Sequence, residues 1–370
     1  MVIVLWKHEL ILSGSSRRTH EFITVIRIAE NSDKDLNRNT LDGFDPKDAI
    51  FVLLAGSTEV SRIPGITSAG ASPDLTLLTP VVDAEIIIGG HPLSIKDPPM
   101  TPEGIPTPAI VTRACLDISG TRSIAVNAGL SVSPKVPFFQ TDLHAALNPA
   151  EVKALPDFSR AFNAGMYLGD LLDGKYGIIV LAESVPGGTT TAQAVISSMG
   201  LKLITSSTMP SDPVKIKNEV VRKAIDRSGY FPDNPEIAVE QYGDYMMPLA
   251  LGISRSAKNS VIVFAGGTQM SSVYYLDKRI NRDSADRYQA TTGWVMDHRR
   301  DTVESIVPPG NLIVSDVSFS GMEENGLRLY EKGHVREGAG MGAALWLASL
   351  KEKNMDKIYS SIEKYYRKLK

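Results

Sequence analysis

Three short glycine-rich stretches contain the residues of this chain that could do chemistry. They read ESVPGGTTTAQ over 183–193, FAGGTQMSS over 264–272 and REGAGMGAA over 336–344. The first two follow apolar, β-rich runs and precede helical patterns, the arrangement in which backbone N–H groups at a helix N-terminus hold an anionic group. The third places a carboxylate, Glu337, at the start of a helix rich in glycine and alanine. Together they indicate an enzyme that grips a phosphorylated small molecule and uses a carboxylate on it.

The first two stretches supply the candidate phosphate-binding residues. Their paired glycines allow close backbone approach, and the threonines offer hydroxyl and N–H groups at a helix start. Neither a Walker A loop nor a GxGxxG pattern is present in the first stretch, so a dinucleotide is not indicated. A tight strand-to-helix turn without a ligand is the alternative for each loop, and two such loops in one sheet favour convergence on one ligand. The candidates are Gly187, Gly188, Thr189, Thr190, Gly266, Gly267 and Thr268.

The third stretch supplies the candidate catalytic residue, Glu337. Gly338, Gly340 and Gly342 each cost a helix up to ~1 kcal/mol relative to alanine, so they need a reason. Close helix packing is one reason, and room for a substrate against the backbone beside Glu337 is the other. A carboxylate at a helix N-terminus is expected to be held ionised near neutral pH.

The composition excludes several classes of function. The 370 residues are 43% hydrophobic and 22% charged with a net charge of −3, which is ordinary for a globular protein and gives no support to a nucleic-acid partner. The single cysteine, Cys115, allows no intrachain disulfide, and the histidines lack metal-ligand spacing. We therefore predict no metal and no cofactor.

Hydropathy along the chain predicts no membrane partner. No apolar stretch reaches the ~18 residues that a spanning helix needs. The opening MVIVLWKHELIL has no basic region before it and is interrupted by Lys7, His8 and Glu9, so it is interpreted as a first strand and not as a signal peptide. A cytoplasmic location follows as the default.

The first 135 residues read as strands separated by turns. Continuous apolar runs at 49–55 and 84–88 are typical of strands buried on both faces, and SIAVNAGL predicts another short strand. Between the second and third of these lies a long proline-rich segment, HPLSIKDPPMTPEGIPTPAI. Loops of this length in a compact domain usually serve a function or cover a neighbour.

From about residue 158 onward strands and helices alternate. Helices are predicted over 158–172, over TTTAQAVISSM, over VKIKNEVVRKAIDR with Asp212 and Pro213 as its N-cap and first residue, over 236–256, and over 336–350 and 354–368. Strands are predicted at YGIIVLAES, NSVIVFA and NLIVSDVSF. This alternation predicts an α/β fold, with a mostly parallel sheet and helices on both faces. Ligands of such sheets bind outside the carboxyl ends of the strands, where the first two glycine loops lie.

These stretches, in this order and spacing, resemble the nicotinate-nucleotide–dimethylbenzimidazole phosphoribosyltransferases, and more closely a divergent archaeal-type branch. The family pattern GEMGIGNTT is similar to AESVPGGTT, and LRLGEGSGAA is similar to GHVREGAGMGAA. The family helix HKRAVIERAL is similar to IKNEVVRKAI. A base-pocket segment resembling VTAQM reads VTRAC here, over 111–115, without the glutamine.

The resemblance implies specific roles for residues of this chain. Glu337 corresponds to the catalytic glutamate of the family, and Gly338 to the loop that follows it. Glu183 corresponds to the family glutamate of the first loop, and Lys217 to a lysine near the phosphate. It implies transfer of the 5-phosphoribosyl group of nicotinate mononucleotide to a benzimidazole-type base, giving an α-ribazole phosphate, the lower-ligand precursor of cobamides. A Rossmann-like core over 49–335 is implied, with a smaller subdomain from 1–48 and 336–370, and so is a homodimer.

Two other functions stay open at this point. One is a different phosphoribosyl or sugar-phosphate transferase on the same scaffold, which the VTRAC departure favours. The other is a nucleotide-binding protein without turnover. The presence of Glu337 argues against the second, because binding alone needs no base.

Overall fold

The chain is described by a computed structural model over residues 25–28, 41, 43–67, 69, 73–96, 99–101, 103–201, 205, 213–282, 286–333 and 335–370. The predicted first strand near the start of the chain and the predicted N-cap Asp212 lie outside these residues. Most of the predicted N-terminal part, 1–48, also lies outside them.

One seven-stranded sheet organises the molecule, in the order β1-β7-β6-β5-β4-β2-β3. All neighbouring pairs are parallel except β1 with β7, which are antiparallel at one edge. The strands are β1 Val25–Ile28, β2 Ala49–Ala55, β3 Arg122–Asn127, β4 Ile178–Ser184, β5 Val261–Ala265, β6 Arg287–Thr292 and β7 Leu312–Asp316. The predicted mostly parallel α/β sheet is confirmed.

Helices follow the strands and cover both faces of the sheet. They are α1 Pro73–Ala84, α2 Ala109–Ser119, α3 Phe158–Leu172, α4 Gly188–Ser198, α5 Val214–Ser228, α6 Pro235–Tyr242, α7 Met246–Ser256, α8 Thr268–Ile280, α9 Gly293–Glu304, α10 Asn325–Arg328, α11 Met341–Lys351 and α12 Met355–Leu369. The prediction of α3 over 158–172 is confirmed residue for residue. Asp157 caps its start by accepting the Arg160 N–H at 3.1 Å, and its apolar stripe packs against α7.

Alternate residues of the central strands feed two separate hydrophobic cores. On β2, Phe51 and Leu53 lie in the core formed with α2, α11 and α12, whereas Val52 and Leu54 lie in the core formed with α3, α4, α7 and α8. Strands buried on both faces read as continuous apolar runs, which is why AIFVLLA could be recognised in the sequence. The division into a main domain and a smaller subdomain stays a prediction.

Four local predictions were wrong. The run at 84–88 is not a strand: it continues α1 as a π-helical turn, Glu85–Gly89, because a short buried apolar run fits either structure. Residues 236–256 form two helices, α6 and α7, which are separated at Gly243 by an extended residue. Pro213 occupies the cap position before α5 and not its first turn. Residues 336–340 precede α11 as a loop, which positions the glutamate.

The strand β6 had no sequence signal, since four of its six buried residues are polar. Arg287 and Gln289 are 1% and 0% exposed. The Arg287 guanidinium lies 3.4 Å from the Asp277 carboxylate of α8, and both side chains are fully buried. Arg287 also donates to the Ser254 carbonyl at 2.6 Å. This ion pair ties β6 to α7 and α8 inside the core.

Candidate active site

A cleft lies at the carboxyl ends of the parallel strands, where three chain segments meet. The strand order reverses between β2 and β4, and ligands of parallel sheets bind at such a switch point. Glu183 and Ser184 at the end of β4 line the cleft, together with parts of both glycine loops. Glu337 and the proline-rich residues 99–101 and 105–108 also line it. The structure therefore brings the three predicted stretches to one place.

The first glycine loop turns β4 into α4. Gly187 has a left-handed backbone with φ +81° and caps the helix, and a Cβ there would lie 3.0 Å from the Ser61 backbone nitrogen. Thr58 Oγ1 donates to the Pro186 carbonyl at 2.7 Å and fixes the turn. Gly187 and Thr189 line the cleft, whereas Thr190 is buried in the helix. The N-terminus of α4 thus points its dipole into the cleft.

The second glycine loop turns β5 into α8. Gly267 is the cap residue and Thr268 begins the helix, and both line the cleft. Gly266, behind them, has φ +155°, and a Cβ at this position would lie 3.7 Å from Cγ of Glu183. Two helix N-termini therefore open on one cleft, as the two loops predicted.

Glu337 lies just before α11 and is held by the start of that helix. Its Oε1 accepts the N–H groups of Gly338 at 3.2 Å and Gly342 at 3.1 Å. Its Oε2 is buried and has no hydrogen-bond partner among the described residues. A Cβ at Gly342 would lie 2.8 Å from Oε2 and 2.5 Å from the Thr291 backbone. Gly342 is therefore needed to leave room for the carboxylate.

The backbone that carries Glu337 is strained. Ala339 has φ +49° between Gly338 at +155° and Gly340 at +68°. A left-handed residue with a Cβ costs about 1 kcal/mol or more. Hydrogen bonds on both sides offset this cost, because Ala339 N–H donates to the Glu183 carbonyl at 3.1 Å and its carbonyl accepts from Thr112 Oγ1 at 3.0 Å. The strained turn thus ties the Glu337 loop to the end of β4.

The protonation of Glu337 differs from the expectation of a fully ionised group. Burial raises the pKa of Glu337 to about 7, although the backbone N–H groups around it act to lower it. The helix N-terminus was expected to dominate, but removal of the carboxylate from water outweighs it. A carboxyl with a pKa near 7 is matched to proton transfer at neutral pH.

Glu183 is a second carboxyl with a raised pKa in the cleft. Burial raises the pKa of Glu183 to about 8, assisted by the negative charges of Asp244, Glu337 and Asp83. Its Oε2 accepts the N–H of Val185 at 3.1 Å. At neutral pH the group is therefore mostly protonated, so that Glu337 and not Glu183 is the better proton acceptor of the two.

The raised pKa of Glu183 predicts a pH-dependent cost to stability. The folded state keeps a proton up to about pH 8 that the unfolded chain releases near its ordinary pKa of 4.5, so the stability contribution is present at low pH and is lost as the pH rises through 8. Glu183→Gln removes this titration. We expect the free energy of unfolding of the variant, relative to the parent, to increase by more than about 1 kcal/mol between pH 6 and 8.5. Urea denaturation at both pH values measures this.

A control substitution separates this effect from any general consequence of removing a glutamate. Glu236→Gln changes an exposed residue of α6, and it should show no such increase. An equal change in both variants would mean that the protonation of Glu183 does not contribute to stability.

Sequence reasoning missed Asp83, which lies at the centre of the cleft wall. Its Oδ1 accepts from Thr107 Oγ1 at 2.6 Å and its Oδ2 from Ser184 Oγ at 2.7 Å. Burial raises the pKa of Asp83 to about 6. The carboxylate thereby joins α1 and the proline-rich segment to β4. A lone aspartate in the apolar run LTPVVDAEIII gave no motif, and only its place amid buried apolar residues could have marked it.

The proline-rich segment forms an apolar side of the cleft. Pro99, Met100, Ile105 and Pro106 contribute its apolar surface. The segment folds back on itself, since the N–H groups of Thr101 and Thr107 donate to the carbonyls of Ile105 and Pro99, each at 2.9 Å. Tyr330 hydroxyl donates to the Pro106 carbonyl at 2.7 Å. The segment thus serves the cleft, one of the two roles that its length predicted.

Two sets of residues that the resemblance places near the substrates are not among the described residues that line the cleft. Residues 111–115, expected in the base pocket, belong to α2 and are absent from the described lining of the cleft. Helix α2 instead supports the Glu337 loop through Thr112. Lys217 is 1% exposed on α5 and is likewise not among the described lining residues, so its contact with a phosphate stays a prediction.

No group of three or more His, Cys, Asp and Glu side chains among the described residues could hold a metal ion. None of the helices in the described ranges is long and apolar enough to cross a membrane.

Comparisons with known proteins give two kinds of match. The relatives by sequence have names that state no activity, whereas the names of the solved structures with a similar fold do state one. No family model matches the chain. A UPF0284 protein of Thermoplasma volcanium is 50% identical over 329 residues, 89% of this chain and 96% of its own length. A UPF0284 protein of Pyrobaculum calidifontis is 40% identical over 317 residues, 82% of this chain and 91% of its own.

Two solved structures share the fold. One is a nicotinate-nucleotide–dimethylbenzimidazole phosphoribosyltransferase from Thermus thermophilus, with a TM-score of 0.56 and 16% identity over 85% of this chain and 82% of that one. The other is CobT from Thermus thermophilus, with a TM-score of 0.57 and 15% identity over 91% and 93% of the two chains. The resemblance seen in the sequence is therefore confirmed at the level of the fold, and the relatives place the chain in a divergent archaeal branch.

Proposed function

Because this chain belongs to the UPF0284 family, whose name states no activity, we propose its function from the site: it transfers the 5-phosphoribosyl group of nicotinate mononucleotide to a benzimidazole-type base. The observation that carries the proposal is the Glu337 carboxylate, whose Oε1 is held by two backbone N–H groups and whose Oε2 is buried without a partner among the described residues. A binding protein has no need of such a base.

The two glycine loops support the phosphoribosyl part of the proposal. The N-termini of α4 and α8 both open on the cleft that contains Glu337. Helix N-termini favour phosphate through their N–H groups and dipole. A nucleotide held there by its phosphate would extend its ribose toward the glutamate. We take Gly187, Gly188, Thr189 and Thr190, helped by Gly266, Gly267 and Thr268, as the phosphate site.

The transfer can be written with this chain's residues alone. The bond between the anomeric carbon and the nicotinate nitrogen breaks, and its electron pair stays with nicotinate, whose ring nitrogen becomes neutral. A ring nitrogen of the incoming base gives its pair to the anomeric carbon from the opposite face, which yields an α-riboside. Glu337 Oε2 takes the proton that the base loses. The leaving group needs no proton, so one base is sufficient.

The apolar side of the cleft supports an aromatic second substrate. Met100, Ile105 and Pro106 face the same space as Glu337. Aromatic ligands bind to mostly apolar pockets in which a few polar groups fix their orientation. The base would lie against this wall with its N–H directed at Oε2. The product of this proposed transfer is an α-ribazole phosphate, and the role that we propose is in cobamide lower-ligand synthesis.

Release of nicotinate tests the proposal. The protein is incubated with nicotinate mononucleotide and 5,6-dimethylbenzimidazole, and nicotinate and the riboside phosphate are separated by chromatography. We expect both products in equal amounts. A panel of related bases, including benzimidazole and adenine, identifies another base if that one fails. No nicotinate with any base of the panel would refute phosphoribosyl transfer from this nucleotide.

A homodimer in the cytoplasm completes the proposal and rests on the resemblance. Light scattering coupled to size exclusion should give about twice the chain mass of 40.1 kDa at micromolar concentration. A stable monomer under these conditions would contradict the dimer without affecting the proposed chemistry.

A further inference from the structure

Gln269 is a buried polar residue of the cleft that the glycine motifs did not single out. It follows Thr268 in the first turn of α8, is 3% exposed and lines the cleft. Its Nε2 has no hydrogen-bond partner within the described part of the chain. A buried donor without an acceptor is unfavourable, because it has lost its hydrogen bonds to water without gaining others. Such a group at a helix N-terminus is ready to donate to a ligand.

Gly188 explains why this amide can occupy its position. A Cβ at Gly188 would lie 2.6 Å from Cδ of Gln269 and 2.5 Å from its Oε1, closer than these atoms can approach. The backbone of Gly188 is in the first turn of α4 and has no left-handed φ, and the three atoms nearest to a Cβ there all belong to the Gln269 amide. The amide can therefore keep this position only while residue 188 has no side chain.

We propose that the Gln269 carboxamide is a phosphate-binding donor, held between the N-termini of α4 and α8 by the absence of a side chain at Gly188. The amide lies where the two helix starts meet, so that one donor serves the site that both form. Its ligand is a phosphomonoester, because a tetrahedral anion can accept from two helix N-termini and from a neutral amide at once. The cleft already contains several carboxyl groups, which would attract a positively charged donor. A neutral amide is not drawn to them in this way.

The inference deepens the proposed function by assigning a residue to its phosphate site. It makes a prediction that a purely structural role would not: loss of the amide should affect phosphorylated ligands only. Ribose 5-phosphate and ribose are the first pair of probes, and nicotinate mononucleotide and nicotinate riboside are the second. In each pair the two ligands differ by the phosphate alone.

Isothermal titration of these pairs with Gln269→Ala is the test. We expect binding of ribose 5-phosphate and of nicotinate mononucleotide to weaken about tenfold or more, the effect of one hydrogen bond to a charged group. Binding of nicotinate riboside should change less than threefold. Equal losses for the phosphorylated and unphosphorylated ligands, or no loss for either, would overturn the assignment. Thermal unfolding of the variant verifies that it is folded.

A double-mutant cycle tests the role of Gly188. Gly188→Ala in the parent should weaken phosphate binding by a similar factor, because its Cβ displaces the amide. The same substitution in Gln269→Ala should add less than threefold, since no amide is left to displace. Additive effects would overturn the positioning by Gly188. If Gly188→Ala did not fold, the ligand pairs with Gln269→Ala would still decide the assignment.

The outcomes separate this inference from the proposed function. Selective loss of ribose 5-phosphate binding in Gln269→Ala, without nicotinate release by the parent, would support the phosphate site and refute the transfer. Nicotinate release by the parent, with unchanged ribose 5-phosphate binding in Gln269→Ala, would refute the role of Gln269 alone. If the parent bound neither ribose 5-phosphate nor the mononucleotide, both the role of Gln269 and the proposed transfer would be refuted.

Discussion

Glu337→Gln is expected to lower turnover by about two orders of magnitude or more, while the affinity for nicotinate mononucleotide stays within a few-fold. General base catalysis contributes typically 10²–10⁴-fold, and glutamine keeps the shape of the side chain but cannot accept the proton. The two N–H groups on Oε1 can still donate to the amide oxygen, so the loop should persist. Steady-state kinetics and titration with the nucleotide measure the two quantities separately.

The pH dependence of the parent provides a second measurement. Since the base acts in its deprotonated form and the pKa of Glu337 is about 7, kcat/KM should fall as the pH decreases below 7. Glu337→Gln should lose this limb of the profile. Retention of more than a tenth of the parent turnover would make the glutamate structural. Loss of nucleotide binding in a folded variant would instead make it a binding residue and direct the search for the base to Glu183.

Asp277→Ala is expected to destabilise the fold by about 3–5 kcal/mol, the cost of leaving the partner of a buried ion pair without its counter-charge. The Arg287 guanidinium and the Asp277 carboxylate lie 3.4 Å apart, and both side chains are fully buried, so the substitution leaves a buried guanidinium without its counter-charge. Urea denaturation monitored by circular dichroism gives the free energy of unfolding.

An exposed pair of the same residue types serves as the control. Arg222 and Asp226 lie 2.8 Å apart on α5, with 64% and 63% of their side chains exposed. Asp226→Ala should cost about 0.5 kcal/mol or less. Similar losses of unfolding free energy for Asp226→Ala and Asp277→Ala would mean that the buried ion pair contributes no more to stability than the exposed one.

The sequence allowed prediction of elements whose apolar residues follow one regular period. Strand β2 is a continuous apolar run and α3 has a capping aspartate and an amphipathic stripe, so both were identified with their bounds. Strand β6 was missed because Arg287 and Gln289 are buried through specific partners, which no periodicity reveals. Local sequence patterns predict which apolar side chains are buried. The burial of a polar side chain depends instead on partners that are distant in the sequence.

The same limit applies to the site. Glycine pairs at strand ends and a glutamate beside glycines have a local signature, so the loops and Glu337 were found. Asp83 and Gln269 obtain their roles from contacts across the fold, with Ser184 101 residues away in one case and with the Gly188 backbone in the other. The pKa of Glu337 also followed burial, which the sequence around it did not reveal.

The contacts that hold the proline-rich segment of the cleft bear on how members of this family can diverge. The fold of the segment is fixed by its own backbone and by Thr107 and the Pro106 carbonyl, whereas the exposed side chain of Met100 contributes to the lining and has no role in the proposed proton transfer. Exchange of such a side chain alters the shape offered to an incoming molecule and leaves the carboxylates and helix starts as they were. Under the proposed function, members of this family would then differ in the partner molecule they prefer through point mutations in this segment.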